Sequence, residues 1–383
     1  MEMSGGQEVV QWARHGDEKM AGTGDKIATD QSSTRRDETH THDDYTVAWI
    51  CPLEIEELVA VVLLDVEHPP LSQESTDPNA YTLGSMNGHN VVIAGLPTMG
   101  NSSAATVVAH MNTTFPQLRF GLVVGIGGGL LEIPLTLSPE LKVPIRTKKG
   151  RIRLGHVVVS NPNGQHSGAV EYDRGKAEAG GFVRTGALAP PPSVLLNAVR
   201  KLNVARSRVR TQDPLLAHLQ KIETSVEKPQ RFRYPGADLD RLYLPDYVHS
   251  DREVSCRKCG CDAEKVVTDE SDDSDQDGDD TAAGSIVVHE GTIAVGGKVM
   301  RNGVERDLLA KRYGVLCFEM EAAGAKNNFP CLIIRGISDY ADSHKNDKWQ
   351  PYAAAVAAAY ARELFEHMPV NRVKECKIPD IGQ

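Results

Sequence analysis

Short apolar runs alternate along the chain with stretches of helical spacing, the pattern of strands interleaved with helices. Residues 45–51 (YTVAWIC) form a β-rich apolar run, read as the first strand. Pro52 suits a first helical turn, and residues 53–59 (LEIEELV) alternate acids with apolar residues as a helix opens. Residues 81–83 and 90–95 frame Asn87-Gly88, a strong hairpin pair. LPTMGNSSAA at 96–105 follows a strand and opens a helix. FGLVVGIGGG at 120–129 reads as a buried strand running into glycines, and IRLGHVVVS at 152–160 as another strand. A helix begins over 194–202, strands return over 286–299, and a helix covers 307–313. Residues 315–342 then read as a helix followed by a strand. Glu319, Met320 and Glu321 open a run of small residues, Asn327, Asn328 and Pro330 stop it, and Cys331 starts a buried apolar run. An Ala-rich helix over 351–366 packs on the body. No internal repeat is visible. The alternation predicts an α/β fold, a single domain with a central mixed sheet flanked by helices.

Composition narrows this picture. With 383 residues and 40% hydrophobic content the chain can bury a large core, and no apolar run reaches a membrane-spanning length. Residues 1–43 are polar and aperiodic, lack a secretory h-region, and read as a disordered leader; His40 and His42 belong to it as solvated residues. Seven scattered Cys suggest a reducing, cytoplasmic setting rather than a disulfide scaffold. Ten acids and one Lys between Asp262 and Asp280 account for nine of the net ten negative charges. That tract reads as an acidic disordered loop over about 262–282, and nothing in the nearly neutral body suggests nucleic acid as a partner. Residues 44–368 are the expected domain, with a surface insertion at about 130–150 and a tail at 369–383.

Several patterns carry chemistry. The strand from Cys331 ends in Arg335-Gly336-Ile337-Ser338-Asp339, and a carboxylate at the carboxyl end of a buried strand lies where open α/β sheets bind ligands. Glu54, Glu56 and Glu57 follow the first strand; a helix dipole stabilises acids there, and a catalytic base would sit there too. Exposed N–H groups and hydroxyls around Gly100, Ser102 and Ser103 suit an anion or a sugar hydroxyl, while either Ser also suits an N-cap. GIGGG lacks the G-x-G-x-x-G pattern of a dinucleotide site. His249, Cys256, Cys259 and Cys261 give four N/S donors that could hold zinc, but without a second CxxC the cluster reads as a free-thiol loop, and no metal is expected. No cofactor is expected either.

FEMEAAG at 318–324 followed by RGISDYAD at 335–342 resembles the nucleoside phosphorylase and nucleosidase superfamily, most closely its fungal nucleoside-phosphorylase-like domains. The resemblance implies cleavage of the N-glycosidic bond of a purine nucleoside or nucleotide. It implies Asp339 as leaving-group acid, Glu56 as the base that activates water, and Glu321 on the ribose hydroxyls. Met320, Glu319, Gly100, Ser102, Gly127, Gly128 and Ser338 complete the implied sugar side, and Val299 and Met300 the base side. A homo-oligomer, dimer or trimer, is also implied. The chain departs from the family pattern at His156, where relatives carry Asp and where a structural His is expected. Val299 stands where an aromatic often stacks on the base. Three outcomes stay open: a hydrolase, a phosphorylase with inorganic phosphate as co-substrate, and an inactive sensing module. The acids after the first strand, and the absence of Arg or Lys from both Gly/Ser turns, favour hydrolysis.

Overall fold

Strands form where β-branched and aromatic residues cluster, and the sheet order brings distant segments of the chain together. The computed structural model describes residues 40–130, 149–208, 212–251, 253–267 and 285–379. Its strands are β1 (Val47–Cys51), β2 (Val66–Glu67), β3 (Tyr81–Met86), β4 (His89–Gly95), β5 (Phe120–Gly129), β6 (Val157–Ser160), β7 (Ala169–Glu171), β8 (Gly175–Glu178), β9 (Gly181–Arg184), β10 (Val288–Val295), β11 (Val315–Glu319) and β12 (Cys331–Asp339). Its helices are α1 (Glu54–Val62), α2 (Asn101–Thr114), α3 (Ser193–Arg208), α4 (Leu215–Ser225), α5 (Cys256–Cys259), α6 (Gly303–Tyr313), α7 (Ala322–Asn328), α8 (Gln350–Leu364) and α9 (Val370–Lys374).

Among the described residues the main sheet has ten strands, in the order β11-β10-β6-β12-β5-β1-β4-β3-β2, with β7 beside β10. It is mixed: β1 runs parallel to β4 and β5, β12 is parallel to β5, and β6 is antiparallel to β12. β11 also pairs antiparallel with the end of β5, through Cys317–Gly129 and Phe318–Gly128, which closes β5, β12, β6, β10 and β11 into a ring. The expected first strand and the Cys331 strand thus lie in one sheet, flanked by helices. α8 is buried from Pro351 to Leu364 and packs on β5 and β12, with α1, α3 and α4 around it. Its alanines let so many neighbours approach one helix. Among the described residues no helix is long and apolar enough to cross a membrane.

Local differences from the sequence reading have physical causes. The hairpin is longer than expected because Asn87 (φ 47°) and Gly88 (φ 78°) form its tight turn directly. The strand expected over 152–160 starts only at Val157, since Gly155 takes φ 82° and breaks the ladder before it. Residues 315–319 are a strand rather than a helix, and the helix waits until Ala322. Ser102 and Ser103 are not N-caps: Gly100 precedes α2, and both serines lie inside its first turn. The packed unit begins at His40, whose ring stacks on His68 at 4.0 Å, and the expected tail contributes α9 with Val373 fully buried. Most of the expected leader, the insertion at about 130–150 and most of the acidic loop lie outside the described residues.

Candidate active site

A cavity of about 270 Å³ opens where α1, the end of β5, the β10–α6 turn, β11 and the end of β12 meet. Its lining includes Glu56, Gly127, Gly128, Val299, Met300, Glu319, Met320, Glu321, Ser338 and Asp339, ten of the residues singled out from the sequence. Gly100 is set behind this wall: its N–H donates to Glu321 Oε1 at 3.2 Å. Ser102 is exposed on α2 and does not line the cavity.

Glu56 is the first acid that α1 turns inward, and it is 2% exposed. Its carboxylate accepts the Leu53 N–H and the Ile126 N–H, both at 2.7 Å. Burial pushes its pKa up to about 8, against the pull of Arg335 and the Ile126 N–H. Glu57, the neighbouring candidate, is half-buried with its carboxylate against Gly95. Glu321 is raised by burial too, opposed by Arg335 and reinforced by Glu319. Glu319 accepts the Glu321 N–H at 3.2 Å and the Ala322 N–H at 3.1 Å, so it caps α7 rather than facing the cavity alone.

The group that organises these acids is Arg335, which the sequence reading passed over. It is fully buried in β12, hydrogen-bonds Glu319, and lies 3.4 Å from Glu321. Burial acts against its charge, but Glu319, Glu321 and Glu56 hold it a guanidinium. Among the described residues its Nε and Nη1 have no hydrogen-bond partner. The glycines of β5 make the room: a Cβ at Gly125 would lie 2.3 Å from Glu56 Oε1 and 2.5 Å from Arg335 Nη1, and one at Gly128 would lie 2.9 Å from Asp339 Oδ1. The signal was present in the sequence. An Arg inside an apolar strand must find anionic partners in the core.

Asp339 sits at the carboxyl end of β12. Ala341 N–H and Ser338 Oγ each donate to it at 2.9 Å, and Lys345 Nζ lies 3.1 Å from Oδ2. Ala341 holds φ 52°, a left-handed conformation unusual for a residue with a Cβ, and this turn aims its N–H at the carboxylate. The aromatic wall absent at Val299 comes from Phe318, edge-on to Tyr172 at 5.6 Å. Val299 is 43% exposed at the rim, whereas Met300 is buried in the cluster with Phe318 and Tyr172. Lys298 and Arg301 flank the same opening. Of the basic residues along 148–153, Lys148 lies outside the described residues, Lys149, Arg151 and Arg153 do not line the cavity, and Arg153 faces Asp240 at 3.9 Å. His156 is buried against His289 (Nδ1 to Nε2, 2.9 Å), and burial lowers its pKa to about 3, so it stays neutral in the core.

Residues 242–366 match the family model described as the Phosphorylase superfamily. Over 340 residues the chain is 40% identical to a nucleotide-binding leucine-rich repeat (NLR)-like protein of Hyaloscypha variabilis, covering 88% of this chain and 31% of that one. Over 94 residues it is 36% identical to the ATP nucleosidase Cap17 of Escherichia coli, covering 23% of this chain and 18% of that one. The chain therefore spans under a third of the first relative and under a fifth of the second. A solved 5′-methylthioadenosine/S-adenosylhomocysteine nucleosidase of Neisseria meningitidis is 17% identical, with a TM-score of 0.49 over 83% of this chain and 97% of that one. By the family match, the segment that carries Glu319, Glu321, Arg335 and Asp339 is phosphorylase-superfamily sequence.

Proposed function

We propose that the chain hydrolyses the N-glycosidic bond of a purine nucleoside or nucleotide and releases the free base. The observation that carries this reading is the pairing of two carboxylates of different character in one cavity. Glu56 is buried with its pKa raised to about 8 despite Arg335, and Asp339 is buried beside the partly exposed Lys345.

In this reading Glu56 takes a proton from water, whose oxygen bonds to the anomeric carbon as the bond to the base breaks. Asp339 delivers a proton to the departing base, and Lys345 stabilises the carboxylate that this transfer leaves. Glu321, fixed by the Gly100 and Met320 N–H groups, accepts the ribose hydroxyls, and Met320 walls the sugar. The logic of acid and base on opposite sides of the sugar is that of glycoside hydrolysis. Phe318 and Val299 face the base.

Hydrolysis is favoured over phosphorolysis by the charge at the nucleophile end. A phosphate dianion there would meet Glu56, Glu319 and Glu321, and Arg335 already serves two of them. Lys298 and Arg301 at the rim, together with the E. coli relative's name, ATP nucleosidase, support a substrate that carries phosphates. The test is incubation with adenosine, guanosine, inosine, AMP and ATP, with and without inorganic phosphate, followed by chromatography. Free purine base with unphosphorylated anomeric carbon, at a phosphate-independent rate, is expected. Pentose 1-phosphate formed only with added phosphate would overturn the hydrolytic reading.

A further inference from the structure

Leu242, Tyr243 and Leu244 pair with residues 265–267 and close the base of a long loop. Leu244 N–H donates to Lys265 O at 2.8 Å, Val267 N–H donates to Leu242 O at 2.9 Å, and Tyr243 bridges Val266. Inside it, among the described residues of 245–264, only His249 is buried, and Val248 is 68% exposed. Such a loop has no apolar core of its own to offset the entropy of ordering it.

What the loop does assemble is donors. The ligand atoms of His249, Cys256 and Cys261 lie within 4.8 Å of one another. Cys259 Sγ is 3.9 Å from His249 Nδ1 and 2.8 Å from Ser250 Oγ. The backbone builds this arrangement. Cys256 and Cys259 lie on the single turn of α5, Gly260 reverses the chain at φ 70°, and the Cys261 N–H returns to Cys256 O at 3.0 Å. All seven cysteines of the chain are free thiols.

We propose that His249, Cys256, Cys259 and Cys261 bind one zinc ion and that this ion staples the 245–264 loop. Bonds of about 2.3 Å to sulfur and about 2.0 Å to nitrogen, arranged tetrahedrally, put sulfur atoms about 3.8 Å apart and sulfur about 3.6 Å from nitrogen. His249, Cys256 and Cys261 stand within about 1 Å of that spacing, and Cys259, already 3.9 Å from His249 Nδ1, joins them by side-chain rotation. Three thiols and an imidazole select a soft, tetrahedral divalent ion over calcium or magnesium. Binding takes the thiol protons to solvent and needs no oxidant or reductant. The spacing alone read as a free-thiol loop; what the fold adds is the convergence of His249, seven residues upstream, onto the same point. The staple also reaches the candidate active site. His249 N–H donates to Ser343 Oγ at 2.9 Å, and Tyr243 stacks on His344 at 3.9 Å, both on the turn between Asp339 and Lys345.

The experiment uses the full chain, purified under reducing conditions from zinc-supplemented cells. Metal content is read by mass spectrometry, and cobalt is then exchanged into the chain after chelation. We expect about one zinc per chain, with intense sulfur-to-cobalt charge-transfer absorption in the exchanged protein. The Cys256→Ser/Cys261→Ser double variant should lose at least about nine-tenths of the metal, while Cys376→Ser keeps it. Wild-type protein without zinc and without the cobalt–thiolate band overturns the proposal even if the double variant fails to fold. Full zinc retention by the double variant, or a Cys256–Cys261 disulfide in freshly purified protein, overturns it as well.

Discussion

At the scale of single residues, the Glu56 end of the site is a balance between three buried carboxylates and one buried guanidinium. Removing Arg335 leaves Glu56, Glu319 and Glu321 facing one another without a counter-charge. Arg335→Met should therefore cost about 3–5 kcal/mol, because breaking a buried pair strands charge in the core. Denaturant unfolding measures this, and a midpoint equal to wild type would remove Arg335 from its organising place. Asp339 tests the other end. Asp339→Asn keeps the Ser338 and Ala341 contacts sterically but has no proton to give, so turnover should fall by at least ~10²-fold with little loss of stability. Steady-state kinetics beside a melting curve separates the two. Lys345→Met should spare folding, since Lys345 is partly exposed, and lower kcat more than it raises KM, because its charge matters once Asp339 has given up its proton.

At the scale of elements, the packing of α8 on β12 sets how firmly Asp339 is held. A Cβ at Gly336 would lie 1.9 Å from Ala353 O, a backbone atom of α8 that cannot rotate away. Gly336→Ala should destabilise by about 1–3 kcal/mol or more through overpacking, read from the denaturant midpoint. Retention of full stability would mean the helix shifts at no cost. This level also shows what was legible in the sequence. Asp339 stood out at the carboxyl end of a buried strand and Glu56 just after the first strand, whereas Glu321 was legible only through the family motif, because the strand before it was read as a helix. Arg335 did not stand out, because Glu56, Glu319 and Glu321 come from other elements, and Lys345 did not, because the turn after β12 that folds it back onto Asp339 leaves no pattern in the sequence. α4 was missed among Arg and Pro, although Leu215, Leu219 and Ile222 repeat at helical spacing and are buried. Phe318 was hidden by its motif, and its place on β11, between β10 and the end of β5, puts it in the cavity wall.

At the scale of the whole molecule, function and stability draw on the same buried charge. Glu56 has a folded pKa of about 8 against an ordinary value of 4.5, so the native state holds a proton that the unfolded chain has released throughout that interval. Stability contributed by the protonated form is complete below about 4.5 and is lost progressively as pH rises through about 8. The catalytic reading requires the opposite form, because only the carboxylate can take a proton from water. Wild-type kcat/KM, which reports the free enzyme, should therefore rise with pH and level off above about 8, over the range in which the fold is losing stability. Glu56→Gln separates the two curves. It removes the charge the core must accommodate, so the variant should be more stable than wild type at pH 8 and above, with a flatter pH dependence. It should also be inactive while still binding substrate, because a base acts in the transition state and contributes little to the ground-state complex. Thermal unfolding across pH 5–9, run beside substrate titration, measures both (a range chosen to straddle the pKa of about 8). A variant that keeps the wild-type pH slope would show that another group titrates there. A variant that keeps turnover would remove Glu56 from the chemistry and leave it as a helix-capping acid.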